Sequence, residues 1–296
     1  MSPVGTGPVL VVLAAGRARR YGGVKPLAPV GPAGEPVLDL LASDALSAGF
    51  SAITVVVGPV TGPAIRYHVA QTWPGSVDVR FAVQEAPLGT AHAVLAAMEH
   101  LDAGAPFAVG NADDLYPVES LAQLAGHLMS GAPTQALVGF PLAGAVLGDA
   151  PVTRAVCEVD GQGLLRSIVE RRQLRALGGG RFVAEDGLSP SELDGGALVS
   201  LNLWGFGPGM PAVLAAAVDG ADHTAERAEV LLPDVVGDLV AGRARPGLGA
   251  APFRVLRATG RCVGVTHQED LAPAQAAVAA QVGAGERPAA LWTAVP

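Results

Sequence analysis

Three short stretches carry side chains whose type and spacing can do chemistry. The first runs Leu13-Ala14-Ala15-Gly16-Arg17-Ala18-Arg19-Arg20-Tyr21-Gly22-Gly23-Val24-Lys25-Pro26. It puts four basic residues within nine positions of a chain whose formal net charge is −8. Ala15 and Gly16 are small and follow an apolar run, so backbone N–H groups there can approach an anion closely. The cations around them complete a cradle for phosphate, although the residues alone also allow a solvated basic loop. The stretch is neither a Walker A loop nor a G-x-G-x-x-G fingerprint. Lys25 is the one lysine against eighteen arginines, and Asn111 and Asn202 are the two asparagines. Richness in Ala, Gly, Arg and Pro reads as a coding bias that replaces Lys and Asn where it can, so the survivors are candidates for chemical necessity.

The second stretch is Gln84-Glu85-Ala86-Pro87-Leu88-Gly89-Thr90-Ala91-His92. A glutamine amide donates and accepts at once, which suits the imide edge of uracil or thymine. Gly89 can offer backbone groups to the same base, and Thr90 has the side chain of a helix N-cap. His92 is expected to be a structural histidine on the first helical turn. The third stretch, Gly110-Asn111-Ala112-Asp113-Asp114-Leu115-Tyr116, sets two carboxylates side by side after an apolar strand. A divalent cation offsets their repulsion, and Mg2+ favours one or two carboxylates plus phosphate oxygens. A turn in which one aspartate caps the next segment is the equal alternative.

Elements must bring these stretches together. Apolar runs at Val9–Leu13, Ile53–Val57, Val77–Val83 and Phe107–Gly110 predict strands. Val37–Ala48, Ala64–Thr72, Thr90–Leu101 and Val118–Met129 predict helices between them. Such a rhythm makes a mostly parallel sheet with helices on both faces, and ligands bind at the carboxyl ends of its strands. All three stretches fall there. After Gly131 the pattern turns β-rich, with strands at Ala136–Pro141, Ala155–Val159, Leu164–Val169 and Leu198–Phe206. Arg175–Ser191 reads as a loop or flap, Val230–Val240 and Ala274–Val282 as helices, and Arg254–Leu256 and Val263–Val265 as short strands.

Composition narrows the class. The 296 residues are 50% hydrophobic and 16% charged, so a large core is available and disorder is excluded. The acidic balance argues against nucleic-acid binding. Val9–Ala15 is too short to span a membrane, and no basic residue precedes it, so a soluble cytoplasmic protein is expected. Cys157 and Cys262 fit neither a disulfide framework nor a metal cluster. His68, His100, His127 and His223 lack ligand spacing and are expected at the surface, while Trp204 and Trp292 read as packing residues. The sequence leaves a homo-oligomer open.

In this order the stretches resemble the sugar-1-phosphate nucleotidylyltransferases (nucleoside-diphosphate-sugar pyrophosphorylases), whose first loop reads roughly L-A-A-G-x-G-x-R-x-G-G-x-K-P-L. Thr153–Asp160, Glu170-Arg171, Asn202-Leu-Trp204, Leu231-Leu-Pro-Asp234 and Gly264–Asp270 continue the likeness, which spans about residues 8–292. The resemblance implies a Rossmann-like (GT-A-type) mixed sheet in a single domain over 1–296. About 8–130 would be the nucleotide-binding half, about 131–265 a β-rich sugar-binding half, and about 266–296 a C-terminal helix and tail. It implies that Arg20 and Lys25 are catalytic cations. Ala15, Gly16, Gln84, Gly89, Thr90 and Asp113 would bind nucleotide, with Asp113 also the metal ligand for Mg2+. Glu170, Arg171 and Asn202 would bind the sugar phosphate.

The implied reaction joins a nucleoside triphosphate, UTP or dTTP, to a sugar 1-phosphate and releases pyrophosphate. Alternatives are a cyclitol phosphate or other acceptor with a different triphosphate, or a catalytically weak regulatory homologue. Three departures stand out. Ala18 replaces the loop's second glycine, and Arg171 replaces a lysine. Gly264 stands where a second metal-binding aspartate is usual, leaving that side of the metal to water, phosphates or another carboxylate such as Asp114 or Asp270.

Overall fold

The computed structural model describes residues 7–16, 21–146, 151–222, 229–243, 252–265 and 267–295. The first half alternates as expected: β1 (Val9–Ala14), α1 (Val37–Ser47), β2 (Ala52–Val57), α2 (Gly62–Thr72), β3 (Val79–Val83), α3 (Thr90–Ala96) and β4 (Phe107–Asn111). Then come β5 (Asp114–Leu115), α4 (Val118–Met129), β6 (Gln135–Pro141), α5 (Leu142–Ala145) and β7 (Val152–Val159). The remainder is β8 (Leu165–Gly178), β9 (Arg181–Ala184), β10 (Glu192–Asp194), β11 (Leu198–Phe206), α6 (Met210–Asp219), α7 (Leu232–Val240), β12 (Phe253–Arg257), β13 (Val263–Gly264) and α8 (Leu271–Gly283).

One mixed sheet runs in the order β10-β9-β8-β7-β11-β4-β1-β2-β3, with β6 and β12 attached beside β11. Its parallel part is β4-β1-β2-β3, where Val9 lies opposite both Phe107 and Ala52. These strands are largely apolar because helices cover both faces. Val37, Leu41, Ile65, Leu121 and Val278 pack on one face, from α1, α2, α4 and α8. On the other face Val94, Met210, Leu214 and Val236 pack from α3, α6 and α7. Trp204 is fully buried against Phe206, with ring centroids 6.0 Å apart, and Trp292 packs on Trp73 at 5.0 Å. Among the described residues, no helix is long and apolar enough to cross a membrane.

β11 arranges the site. Along one edge, its residues Leu198–Ser200 pair with β7 and Trp204–Phe206 pair with β4. The segment 201–203 hands over from one neighbour to the other, and its register with β6 breaks there too. The strands therefore splay where β4 ends, opening a crevice of the kind expected where a sheet changes direction.

The stretch expected as a loop or flap at Arg175–Ser191 is about half strand, over 175–178 and 181–184, with a loop over 185–191. β8 continues to Gly178, turns at its glycines, and returns antiparallel as β9, against which β10 pairs antiparallel in turn. Its exposed faces are charged, with Arg175 paired to Glu185 and Arg181 to Glu192, so no apolar run marks it. The helix expected over Thr90–Leu101 ends at Ala96 and continues only as a 3-10 turn at Met98–His100. His68 is not a free surface residue: its Nε2 lies 2.9 Å from both oxygens of buried Asp39. His223 lies outside the described residues.

Candidate active site

At the carboxyl ends of β1, β3 and β4 lies a cavity of about 580 Å³, lined in part by Ala15, Gly16, Gln84, Gly89 and Asp113. A second cavity, of about 270 Å³, occupies the crevice beside β11 and is lined in part by Asp114, Arg154, Glu170, Ser200 and Asn202. Thr90, Asn111, Asp113 and Leu231 belong to both walls. The two cavities therefore meet at Asp113.

Asp113 is held from the side by Lys25, whose Nζ donates to its Oδ2 in a half-buried ion pair. Lys25 comes from a single 3-10 turn, Lys25–Leu27, fixed by the Leu27 N–H to Val24 carbonyl bond of 2.8 Å. Arg17, Ala18, Arg19 and Arg20 lie outside the described residues, so the expectations for Arg20 and Ala18 fall there as well. Asp114, next along the chain, lines the second cavity beside Asp113. The Asn111 amide donates to its Oδ2 at 2.9 Å, and its Oδ1 takes no hydrogen bond among the described residues. Burial, then the charge of Asp113, pushes the Asp114 carboxyl up to about 7. Glu170 sits at the second cavity and pairs with Arg172 at 3.0 Å. Burial first, then Glu170, raises the nearby Asp234.

The nucleotide-side wall is built across the chain. Gly89 has φ +96°, and a Cβ there would lie 2.4 Å from the Val230 carbonyl oxygen and 2.6 Å from its nitrogen. Only glycine lets the α3 entrance press against that strand of backbone, which also accepts the Ala91 N–H at 3.0 Å and donates to Leu88 at 2.8 Å. Gly89, not Thr90, is the N-cap of α3. The Thr90 hydroxyl instead accepts the first N–H of α7, from Leu232 at 2.8 Å, serving the other helix. Gln84 is 8% exposed, and its Nε2 donates to the Gly89 carbonyl at 2.9 Å and lies 3.2 Å from His92 Nδ1. One amide hydrogen is thus engaged by the Gly89 carbonyl. Gln84 lines the cavity, and its Oε1 makes no hydrogen bond among the described residues.

Arg171 does not stand open to a phosphate. Its Nε donates to Asp186 Oδ2 at 2.7 Å and one terminal nitrogen to Oδ1 at 3.1 Å, with further bonds to the Leu188 and Pro190 carbonyls. The guanidinium staples the β8–β10 ribbon from beneath. A carboxylate fifteen positions along the chain claims it, and no local spacing announces that pair. Arg154 is the basic residue on the wall of the second cavity, opposite Arg171 in the β7–β8 register. Arg154 and Ser200 were not foreseen, since they look like ordinary strand residues. Asn202 is at the cavity as expected, and has φ +59°.

Over 118 residues the chain is 36% identical to the bifunctional protein GlmU of Ralstonia nicotianae, and over 97 residues 39% identical to that of Paraburkholderia phytofirmans. Those matches span 40% and 33% of this chain but only 25% and 20% of the relatives, about a quarter or less of their length. The crystal structure of HddC from Yersinia pseudotuberculosis superposes with a TM-score of 0.59 over 91% of this chain and 99% of that one, at 16% identity. A structure of HddC complexed with GMP-PN matches equally well. Residues 10–176, more than half of the chain, match the model of a single family, and the chain accordingly belongs to the MobA-like NTP transferases.

Proposed function

We propose that the protein transfers the nucleotidyl group of a nucleoside triphosphate, UTP or dTTP, to a sugar 1-phosphate and releases pyrophosphate, in the cytoplasm where such triphosphates are made. The observation that carries this reading is the meeting of a larger and a smaller cavity at Asp113, with Lys25 against it. Two substrates that must react with each other need two pockets sharing one wall. The larger cavity takes the nucleotide, with Gln84 Oε1 accepting the ring N–H of the base and the Ala15-Gly16 backbone beside the phosphates. The smaller takes the sugar, with Glu170 accepting from hydroxyls and Asn202 at its rim.

A sugar phosphate is ionised at neutral pH, so its oxygen attacks the α-phosphorus without a general base. Charge then builds on the phosphate oxygens, and fixed cations lower that barrier. Lys25 supplies one such cation, and Arg20 is assigned the leaving pyrophosphate.

The donor set fits Mg2+. Among the described residues no three His, Cys, Asp or Glu side chains converge as a closed metal cage. Two adjacent carboxylates with open space toward a substrate are what Mg2+ uses when phosphates complete its shell. Asp113 and Asp114 would hold it, and when bound it would neutralise phosphate charge. Asp114 Oδ1 lies 2.7 Å from where a Cβ on Gly264 would be, so its carboxylate fills the space a side chain at 264 would take. Asp270 is spent elsewhere, accepting the His267 N–H at 2.6 Å.

A second donor, GTP, is favoured by one feature: an acceptor at Gln84 suits the guanine N1–H as well as the uracil N3–H, and HddC was solved with GMP-PN. Pyrophosphate release measured over all common triphosphates, each with a panel of hexose and cyclitol phosphates, tests the proposal. Release with one pair, dependent on Mg2+, is expected. No release with any pair would refute it.

A further inference from the structure

The β4–β11 ladder stops at Val109 opposite Trp204, and the β7–β11 ladder stops at Ala155 opposite Ser200. Between them residues 201–203 have no ladder partner on β4, β7 or β6. One side chain crosses this gap. The Tyr116 hydroxyl accepts the Asn111 N–H at 2.9 Å and donates to the Leu201 carbonyl at 2.8 Å. The residue is fully buried. A single oxygen thus does in the gap what ladder bonds do elsewhere, and holds the two backbones one phenol oxygen apart.

Both ends of this bridge belong to the site. On one side, Asn111 fixes Asp114 and borders both cavities together with Asp113. On the other, Leu201 precedes Asn202, whose left-handed backbone is secured by its N–H on Ser200 Oγ at 3.1 Å. The Asn202 side-chain Oδ1 accepts the Trp204 indole N–H, also at 3.1 Å. The Asn202 side-chain Nδ2 donates no hydrogen bond among the described residues, and the residue lines the smaller cavity.

We propose that the Tyr116 hydroxyl is a positioning group that sets the distance between the donor-side turn, Asn111–Asp114, and the acceptor-side bend, Ser200–Asn202. The proposal rests on the assignment of the two cavities to donor and acceptor. Tyr116 touches neither substrate and acts through the backbone of Asn111 and Leu201. Without the oxygen, a part-buried N–H and C=O lose their partner, and the strands shift or admit water to satisfy them. A displacement of about 1 Å between reacting groups costs about 100-fold in rate.

The test is Tyr116→Phe in the full chain, which removes one atom and keeps the ring. Val213→Ala, buried in α6 on the helical layer opposite Tyr116, serves as a control for stability loss alone. The expected result is a fall of roughly 100-fold in kcat/KM for the sugar phosphate, with the triphosphate KM changed by less than about twofold. Hydrogen exchange should rise together in peptides covering 111–114 and 198–204, and Val213→Ala should change neither readout. Sugar-phosphate kinetics within about twofold of wild type, or faster exchange in one segment without the other, overturns the proposal. If the wild-type chain turns over no substrate pair, the functional reading fails, and the exchange measurement alone decides whether the bridge couples the two segments.

Discussion

Removing Arg171 separates two roles for that residue, staple or phosphate ligand. Its side chain and that of Asp186 are 5% and 4% exposed. Arg171→Met deletes four hydrogen bonds and leaves a buried carboxylate without its cation. Breaking one partner of such a pair costs about 3–5 kcal/mol. Replacing both, as Arg171→Met with Asp186→Asn, removes the stranded charge and should cost less than the sum of the single changes. The loss depends on pH in a defined direction. The Arg171 hydrogen bonds, opposed by burial and joined by the Leu188 and Arg172 N–H groups, hold the Asp186 carboxyl well below the usual carboxylate range. Below about pH 4 the unfolded chain therefore binds a proton that the native chain refuses. The pair's stabilisation is complete above that pH and falls as pH drops toward the depressed native value. Arg171→Met should thus differ most from wild type at neutral pH, and the difference should shrink in acid. Urea unfolding from pH 7 to 3 measures both. If Arg171→Met unfolds within about 1 kcal/mol of wild type at pH 7 while the sugar-phosphate KM rises more than about tenfold, the staple argument is wrong and the side chain serves substrate.

Three further outcomes are expected. Lys25→Ala should lower turnover by about 10²–10³ with circular dichroism unchanged, and wild-type-like turnover would count against the role assigned to its ammonium. Asp113→Asn should move the Mg2+ titration of activity to at least about tenfold higher concentration, and an unshifted titration would remove Asp113 from the metal site. Gly89→Ala forces a methyl into the Val230 backbone at a position with φ +96°. It should lower the melting temperature and abolish the thermal shift produced by the preferred triphosphate. A variant that keeps that shift would show that the wall beside Gln84 is not part of the nucleotide cavity.

The parallel part of the sheet was legible because each strand is an apolar run closed by a turn, and β1, β2 and β4 appear within a residue or two of their expected bounds. Gly16, Gln84 and Asp113 could be singled out because the strand-turn-helix rhythm puts them at one rim. What escaped is what depends on partners far along the chain. The Gly89 requirement is set by Val230, and Thr90 caps a helix 142 residues later. Arg171 looks like a ligand until Asp186 is seen beneath it. Tyr116 reads as a core aromatic, and its ring is one; only the destination of its hydroxyl gives it a second purpose. The β8–β10 ribbon escaped for another reason, since charged residues on its exposed faces erase the apolar signature of a strand.

The lateness of β11 has a consequence for the order in which the molecule is made. This strand joins β4 to β7, yet it is encoded beyond residue 197, after β1 to β10 have left the ribosome. Until it arrives, the nascent chain holds two sheet fragments with raw edges that nothing yet joins. Maturation therefore waits on contacts between remote parts of the polypeptide, a slow step by loop-closure entropy alone. A fragment ending at residue 176 would carry most of the recognisable signature and still lack the seam that makes the two halves one body.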